Sequence, residues 1–354
     1  MMMRMIRGLG FVVLIGTLVT PANSAQYSID EIQSSIQQLG TFSSQASQNA
    51  GVLLIDAGSD ALSLLHAELR SVTATEKGTT DFTTESAERT ATQKVQLLNI
   101  LGEIGEFASA TEIVASLRET PADHMAQIEG FAALAKLGPA QITMNYAQEV
   151  LNAPSAGIIQ KRAAFTPLLL YPQPSMTTLV ETFAAASAPV DVRDVAILLG
   201  ARLGLKNAML PLIEAWLAAP LGDYGDYNVL IALAELVPPV EFATKVAGIS
   251  VSPAFVASAT RYNRFKWSNA ATRASMVDTM FQVQFHEELL LALSHLLEQG
   301  NSQLLKEMGV LYTAPNQPLA LNPTYKPFIQ MLGYRYDGQG HFERMFDGQP
   351  VQAP

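Results

Sequence analysis

The sequence predicts an all-α chain built as a stack of antiparallel helix pairs, and three observations predict it. Residues 97–117 read LLNILGEIGEFASATEIVASL and residues 130–150 read GFAALAKLGPAQITMNYAQEV, an echo at a distance of 33 residues. Adding that period repeatedly to Ile104 lands on Leu137, Leu170, Leu203 and Leu236, so one register stays Ile or Leu at every step. The 354 residues contain no Cys, 49% hydrophobic residues and only 15% charged ones, so stability falls to buried apolar surface rather than to disulfides.

The chain opens MMMRMIRGLGFVVLIGTLVTPANSAQ. Arg4 and Arg7 precede an apolar run from Leu9 to Val19, and small residues follow at Ala22, Ser24 and Ala25. This is the layout of a secretory signal peptide over residues 1–25. The run of 11 residues is shorter than the roughly 20 needed to span a membrane, so cleavage after Ser24 or Ala25 is expected, with no stable span afterwards. The absence of Cys excludes lipid attachment there. Cleavage removes Arg4 and Arg7 and no acid, which takes the net charge from −10 to −12. Such an acidic chain is a poor partner for nucleic acid, whose phosphates demand a basic surface.

Residues 26–88 are expected to form an N-terminal helical cap and a polar loop. Segments 29–39 and 52–69 carry the cap helices, with His66 and Leu69 on the second. The tract 71–92, rich in Thr, Ser and Glu and without periodicity, predicts a solvated loop.

Five units then occupy residues 89–252. In the first half of the first unit, Leu97, Leu98, Leu101 and Ile104 share one helical face. Three residues before the Ile104 register, Leu101, Leu134 and Leu233 agree, whereas Pro167 and Gly200 do not. One residue after it come Gly105, Gly138 and Gly204, with Tyr171 and Val237 as exceptions; a Gly there predicts a left-handed helix stop. The second half holds Val114, Ala147, Val180, Ile213 and Val246, then Leu117, Val150, Phe183, Trp216 and Ile249, all apolar. Each unit is therefore two antiparallel helices. Gly138-Pro139 separates the halves of one unit, and Ala188-Pro189 and Ala219-Pro220 mark boundaries between units. Thr120 is a candidate cap, with Asp123 at the positive end of the helix dipole. Pro167 falls inside a first helix and predicts a kink.

The phrase LLNILGEIGEFASATEIVASL, with its Leu-rich helix, short Gly turn and second helix, resembles the HEAT-like (armadillo-type) repeats in their short form. The Trp-x-x-Leu-Gly-x-x-Tyr pattern of tetratricopeptide units and the Thr-Pro-Leu-His of ankyrin units are absent. The resemblance covers about half of the chain and carries no catalytic residues. It implies a right-handed α-solenoid with a 33-residue period, whose concave face, formed mainly by second helices, binds a protein or peptide.

Residues 253–321 predict C-terminal helices, and 322–354 a capping helix with a tail. In PAFVASATRYNRFKWSNAATRASM, Arg261, Arg264 and Lys266 stand among Tyr262, Phe265 and Trp267, a basic aromatic cluster in an acidic chain. Arg binds carboxylates bidentately and aromatics supply flat apolar contact, so these six residues are the candidate partner-binding site. Inward packing of the aromatics is the competing interpretation. In FHEELLLALSHLLEQG, His286 and His295 are nine residues apart and face opposite sides of a helix, which excludes a shared metal. In the tail, Tyr334, Tyr336, Asp337-Gly338, Phe342 and Met345 predict a small hairpin or an extended strand.

No Gly-x-Ser-x-Gly nucleophile motif and no phosphate-binding Gly loop occur, and Asp223 and Asp226 fit helix capping better than cation binding. The sequence therefore predicts no cofactor, no metal and no catalytic residue. Its first functional reading is a periplasmic or secreted, non-enzymatic scaffold. Its second is a cell-wall or glycan-associated enzyme, or the accessory subunit of one.

Overall fold

The computed structural model describes residues 27–42, 44–79, 81 and 83–268, together with the backbone of five short strands beyond them. The signal peptide, the His286–His295 segment and the predicted capping helix of 323–332 lie outside the described residues. Up to Ser268 the regular structure is entirely helical. It opens with α1 (Ile29–Gln37), α2 (Gln45–Ala57) and α3 (Leu62–Gly78). Five helix pairs follow: α4 (Glu85–Ile104) with α5 (Ser109–Glu119), α6 (His124–Lys136) with α7 (Gln141–Asn152), α8 (Ile158–Leu170) with α9 (Thr177–Ala184), α10 (Val190–Arg202) with α11 (Lys206–Ala218), and α12 (Tyr224–Leu236) with α13 (Pro239–Val246). Helix α14 (Pro253–Lys266) comes next.

The starts and stops of these helices are local chemistry. Ser28 and Glu31 form a reciprocal capping box at α1, Ser28 Oγ accepting from Glu31 N at 3.2 Å and Ser28 N donating to Glu31 Oε2 at 2.8 Å. Thr84, Asp123 and Asp223 accept first-turn amide protons at α4, α6 and α12. First helices end on the 33-residue register: Ile104, Leu170 and Leu236 are last residues, and Leu137 and Leu203 are the residues just after. Gly105, Gly138 and Gly204 then turn the chain at φ of 75°, 97° and 74°, a region costly for any residue with a Cβ.

The first helices α4, α6, α8, α10, α12 and α14 pack each on the next in an unbroken row. The second helices sit against them, α11 between α10 and α12, and α13 between α12 and α14. Among the described residues α3, α5 and α7 also pack on one another, but α7, α9, α11 and α13 meet one another little. One apolar core runs through the whole stack, from Ile32 in α1 to Tyr262 in α14.

Two expectations are corrected. The tract 71–92 is mostly helix: α3 continues to Gly78 and α4 begins at Glu85, leaving a short connection. Most of its polar residues stay exposed, but two are placed inward, Thr73 Oγ1 meeting Ser116 Oγ at 2.7 Å and Glu76 pairing with Lys94 at 2.8 Å, so tertiary bonds override weak local propensity. Thr120 lies at the end of α5, where its hydroxyl donates to Ser116 O, and Asp123 is the cap of α6. The helical run Gln45–Gly78, crossed by one 3₁₀ turn at Gly58–Ala61, is long and apolar enough to cross a membrane; its Leu54, Leu65 and Leu69 are buried in the core.

Beyond Ser268, β1 (Leu311–Tyr312) pairs antiparallel with β2 (Ala320–Leu321). β3 (Tyr334–Tyr336) pairs antiparallel with β4 (Phe342–Phe346), with Tyr336 opposite Phe342, and β4 pairs with β5 (Gln349–Pro350).

Candidate functional site

The basic aromatic cluster lies at the end of α14, where it serves the end of α12. Tyr262 is buried and its hydroxyl donates to Glu235. Lys266 Nζ donates to the same carboxylate and, at 2.8 Å, to the Glu235 carbonyl. Asn263 and Trp267 Nε1 both donate to the Ala234 carbonyl, at 3.0 and 3.2 Å. Burial pushes the Glu235 carboxyl up, but Lys266, Arg202 and Tyr262 together hold it below the usual range. A buried carboxylate demands counter-charge, and that demand draws Tyr262 and Lys266 inward. Arg261 is half-buried, and the side chain of Phe265 lies outside the described residues. Among the described side chains of the cluster, the most exposed are Arg264 and Trp267.

A second group of residues escapes sequence reasoning because its members share a position and not a type. Lys94, Gln127, Gln160, Arg193 and Asp226 recur at 33-residue steps on successive first helices. Four of them are buried and satisfied by nearby chain. Lys94 Nζ meets Glu76 and Thr120. Gln127 Nε2 donates to the Leu117 carbonyl at 2.9 Å and its Oε1 accepts from Tyr146. Gln160 accepts from Gly157 N. Asp226 accepts from Trp216 Nε1 at 2.8 Å and from the amides of Leu221 and Gly222 at 3.0 and 2.8 Å. Only a polar position inside an apolar face, as in VDVRDVAILLG, signals this role in the sequence.

Arg193 differs from the other four. Its guanidinium lies over the Trp216 ring at 5.9 Å, and its Nε is buried without a hydrogen-bond partner. It forms part of a cleft of about 300 Å³ whose walls include Val190, Ile197, Leu212, Trp216 and Leu221. A smaller cleft of about 220 Å³ opens on the other flank of α11, lined by Ile213, Leu217, Leu233, Lys245 and Ile249. At 100° per residue the two sets of α11 positions point to opposite sides of the helix. The clefts exist because α11 stands apart from both α9 and α13.

The chain matches no protein-family model, no curated protein and no solved structure. Chemical argument therefore rests on the clefts themselves. Their walls are apolar, one carries the Arg193 cation and the other the Glu214–Lys245 ion pair at 2.5 Å, and the Arg193 cleft opens beside the exposed Leu221. Apolar walls with a few placed polar groups suit binding of an apolar group whose orientation is fixed by charge. Among the described residues no three His, Asp or Glu side chains stand close enough to share a metal ion.

Proposed function

We propose that the protein is an exported, non-enzymatic repeat scaffold, a right-handed α-solenoid of short HEAT-like units that binds a protein or peptide partner. The observation that carries this reading is that α11, packed on α10 and α12 but apart from α9 and α13, has an apolar cleft on each flank. A helix stack that buries its core through one continuous row can leave its other layer open for recognition, since each unit needs only its neighbours for stability. In this reading the first-helix row is the inner, concave layer, because its members pack more closely than the second helices do. Recognition then falls to the clefts between second helices rather than to a concave face that they form. Export rests on the leader-like N-terminus, with the periplasm or the exterior as destination.

The test is site-specific photo-crosslinking in the producing cell. A crosslinker at the exposed Ala215 on α11 is expected to trap one defined partner, and one at the exposed Arg70 on α3 is expected to trap none. A folded variant with Leu221→Asp, an exposed position in the same cleft, should lose the Ala215 product. Equal labelling from both positions, or shortened glycan strands accumulating with the purified protein, would sink the scaffold reading.

A further inference from the structure

We infer that the cleft beside Arg193 is a binding site for a carboxylate carried on an apolar residue, namely the C-terminal end of a peptide or protein chain. The inference rests on the scaffold reading and names what the scaffold grips. Its starting point is the 33-residue polar register, where Lys94, Gln127, Gln160 and Asp226 are each satisfied by neighbouring chain and Arg193 leaves its buried Nε without a partner. Buried polar hydrogens are nearly always bonded, so this exception marks Arg193 as the member of the series whose needs the neighbouring chain does not meet.

Two buried acids of the first-helix row are already engaged. Asp194 is held by Arg162 and Asn228, and Asp226 by Trp216 and two backbone amides. Among the described residues no carboxylate forms an ion pair with Arg193, in a chain whose acids outnumber its bases 32 to 22. A guanidinium laid on an aromatic ring keeps its donor edge free for a bidentate anion. The ring is itself fixed, since Asp226 holds Trp216 Nε1 at 2.8 Å. The cation is thus presented by two packed helices, at the edge of walls formed by Val190, Ile197, Leu212 and Leu221.

Size decides between sources of such a ligand. A volume of about 300 Å³ lies at the low end of ligand pockets, enough for one or two apolar side chains but not for a long acyl chain. A chain terminus places its carboxylate and an apolar side chain on one and the same residue and leaves the rest of the molecule to run out over the exposed Leu221.

The experiment uses the full mature chain with Trp267→Phe, which leaves Trp216 as its sole tryptophan and emission reporter. The probes are an N-acetylated tetrapeptide ending in two leucines with a free carboxylate, the same peptide as its C-terminal amide, and decanoate. The acid is expected to bind roughly tenfold or more tightly than the amide and to change Trp216 emission. Arg193→Gln should bring the acid down to the amide's affinity and leave the amide unchanged, and Arg193→Lys should recover part of the preference. Equal binding of acid and amide by the unaltered cleft would overturn the inference without any variant having to fold. So would decanoate binding where the peptide does not, or a folded protein that binds no probe at millimolar concentration. An Ala215 crosslink retained while acid preference is missing would leave the scaffold standing and the terminus inference refuted. An acid preference with no crosslink would refute the scaffold alone.

Discussion

The guanidinium of Arg162 holds the carboxylate of Asp194 through two hydrogen bonds of 2.7 Å, Nη1 to Oδ1 and Nη2 to Oδ2. Asn228 adds a third, donating to Oδ2 at 2.7 Å. One carboxylate, 1% exposed, therefore ties α8, α10 and α12 together in the first-helix row. Arg162→Met would leave that charge buried with Asn228 alone. The expected loss is about 2 to 4 kcal/mol, below the usual figure for a broken buried pair because Arg162 is partly solvated and one hydrogen bond survives. The double variant Arg162→Met with Asp194→Leu should recover at least half of the loss. Denaturant midpoints of the four proteins measure the coupling, and additive losses would show that the pair is not a unit.

Lys94 and Arg118 separate buried from exposed ion pairs within one stack. Lys94 is wholly buried, with Nζ 2.8 Å from Glu76, bonded to Thr120 and 3.8 Å from Asp123. Arg118 pairs with Glu149 at 2.6 Å, and both are about half exposed. Lys94→Met leaves Glu76 as an uncompensated acid and should cost about 3 kcal/mol. Arg118→Ala should cost at most about 1 kcal/mol, and that cost should shrink further at high salt. Similar losses from the two substitutions would contradict the argument.

Acidification should weaken the fold in two stages. His66 shares a 2.9 Å hydrogen bond with Ser109 across the α3–α5 seam, and burial pushes its pKa below the ordinary value, with Arg70 acting in the same direction and Glu112 against it. The unfolded chain then takes up the proton first, so the stability from neutral His66 is present above about pH 6.5 and is lost as the pH falls below it. Glu235 has a folded pKa below its unfolded value, so its contribution is complete above the unfolded carboxylate range and is lost as the pH falls through the folded pKa. Glu76 works the other way, since burial pushes its carboxyl up despite Lys94, and its protonation favours the fold. Unfolding midpoints against pH should lose the first stage in His66→Gln and show a smaller second stage in Glu235→Gln, where Glu31 and Asp81, also held low by hydrogen bonds, still contribute. A His66→Gln profile that still falls between pH 7 and 5 would contradict the assignment.

The helical layers were legible in the sequence because apolar periodicity and turn chemistry act locally. Leu97, Leu98 and Leu101 are all buried, and Gly105, Gly138 and Gly204 all take the left-handed conformation. Asp223 is a cap, and Asp226 binds the two loop amides before its own helix. What stayed hidden depends on groups far apart in the chain. Thr73 and Glu76 look like solvent residues until Ser116 and Lys94 are placed beside them. Tyr262 and Lys266 look like a binding patch until Glu235 is found buried under them. The Arg193 cleft is hidden for the same reason, since Arg193 and Trp216 are brought together only by the pairing of α10 with α11.

Gly200 offers the sharpest test of how far the repeat can be made regular. It occupies the register of Leu101, Leu134 and Leu233, so sequence symmetry alone would favour Leu there. A Cβ at this position would lie 2.4 Å from Met209 Sδ and 2.8 Å from Val180 Cγ1, because α9 and α11 both close on α10 at this point. Met209 can move its end, but Val180 is fully buried and stiff at χ1. The helix propensity gained by Gly200→Ala, about 1 kcal/mol, is therefore outweighed by overpacking of roughly 1 to 3 kcal/mol, and Gly200→Leu should abolish cooperative unfolding. Gly51 in α2 gives the opposite sign, since a Cβ there meets only Ile100 Cδ1 at 4.0 Å, and Gly51→Ala should stabilise by about 0.5 to 1 kcal/mol. Adding Met209→Ala to Gly200→Ala should return part of the loss if the clash is its cause. Stabilisation by Gly200→Ala alone would show that α9 and α11 do not close on α10.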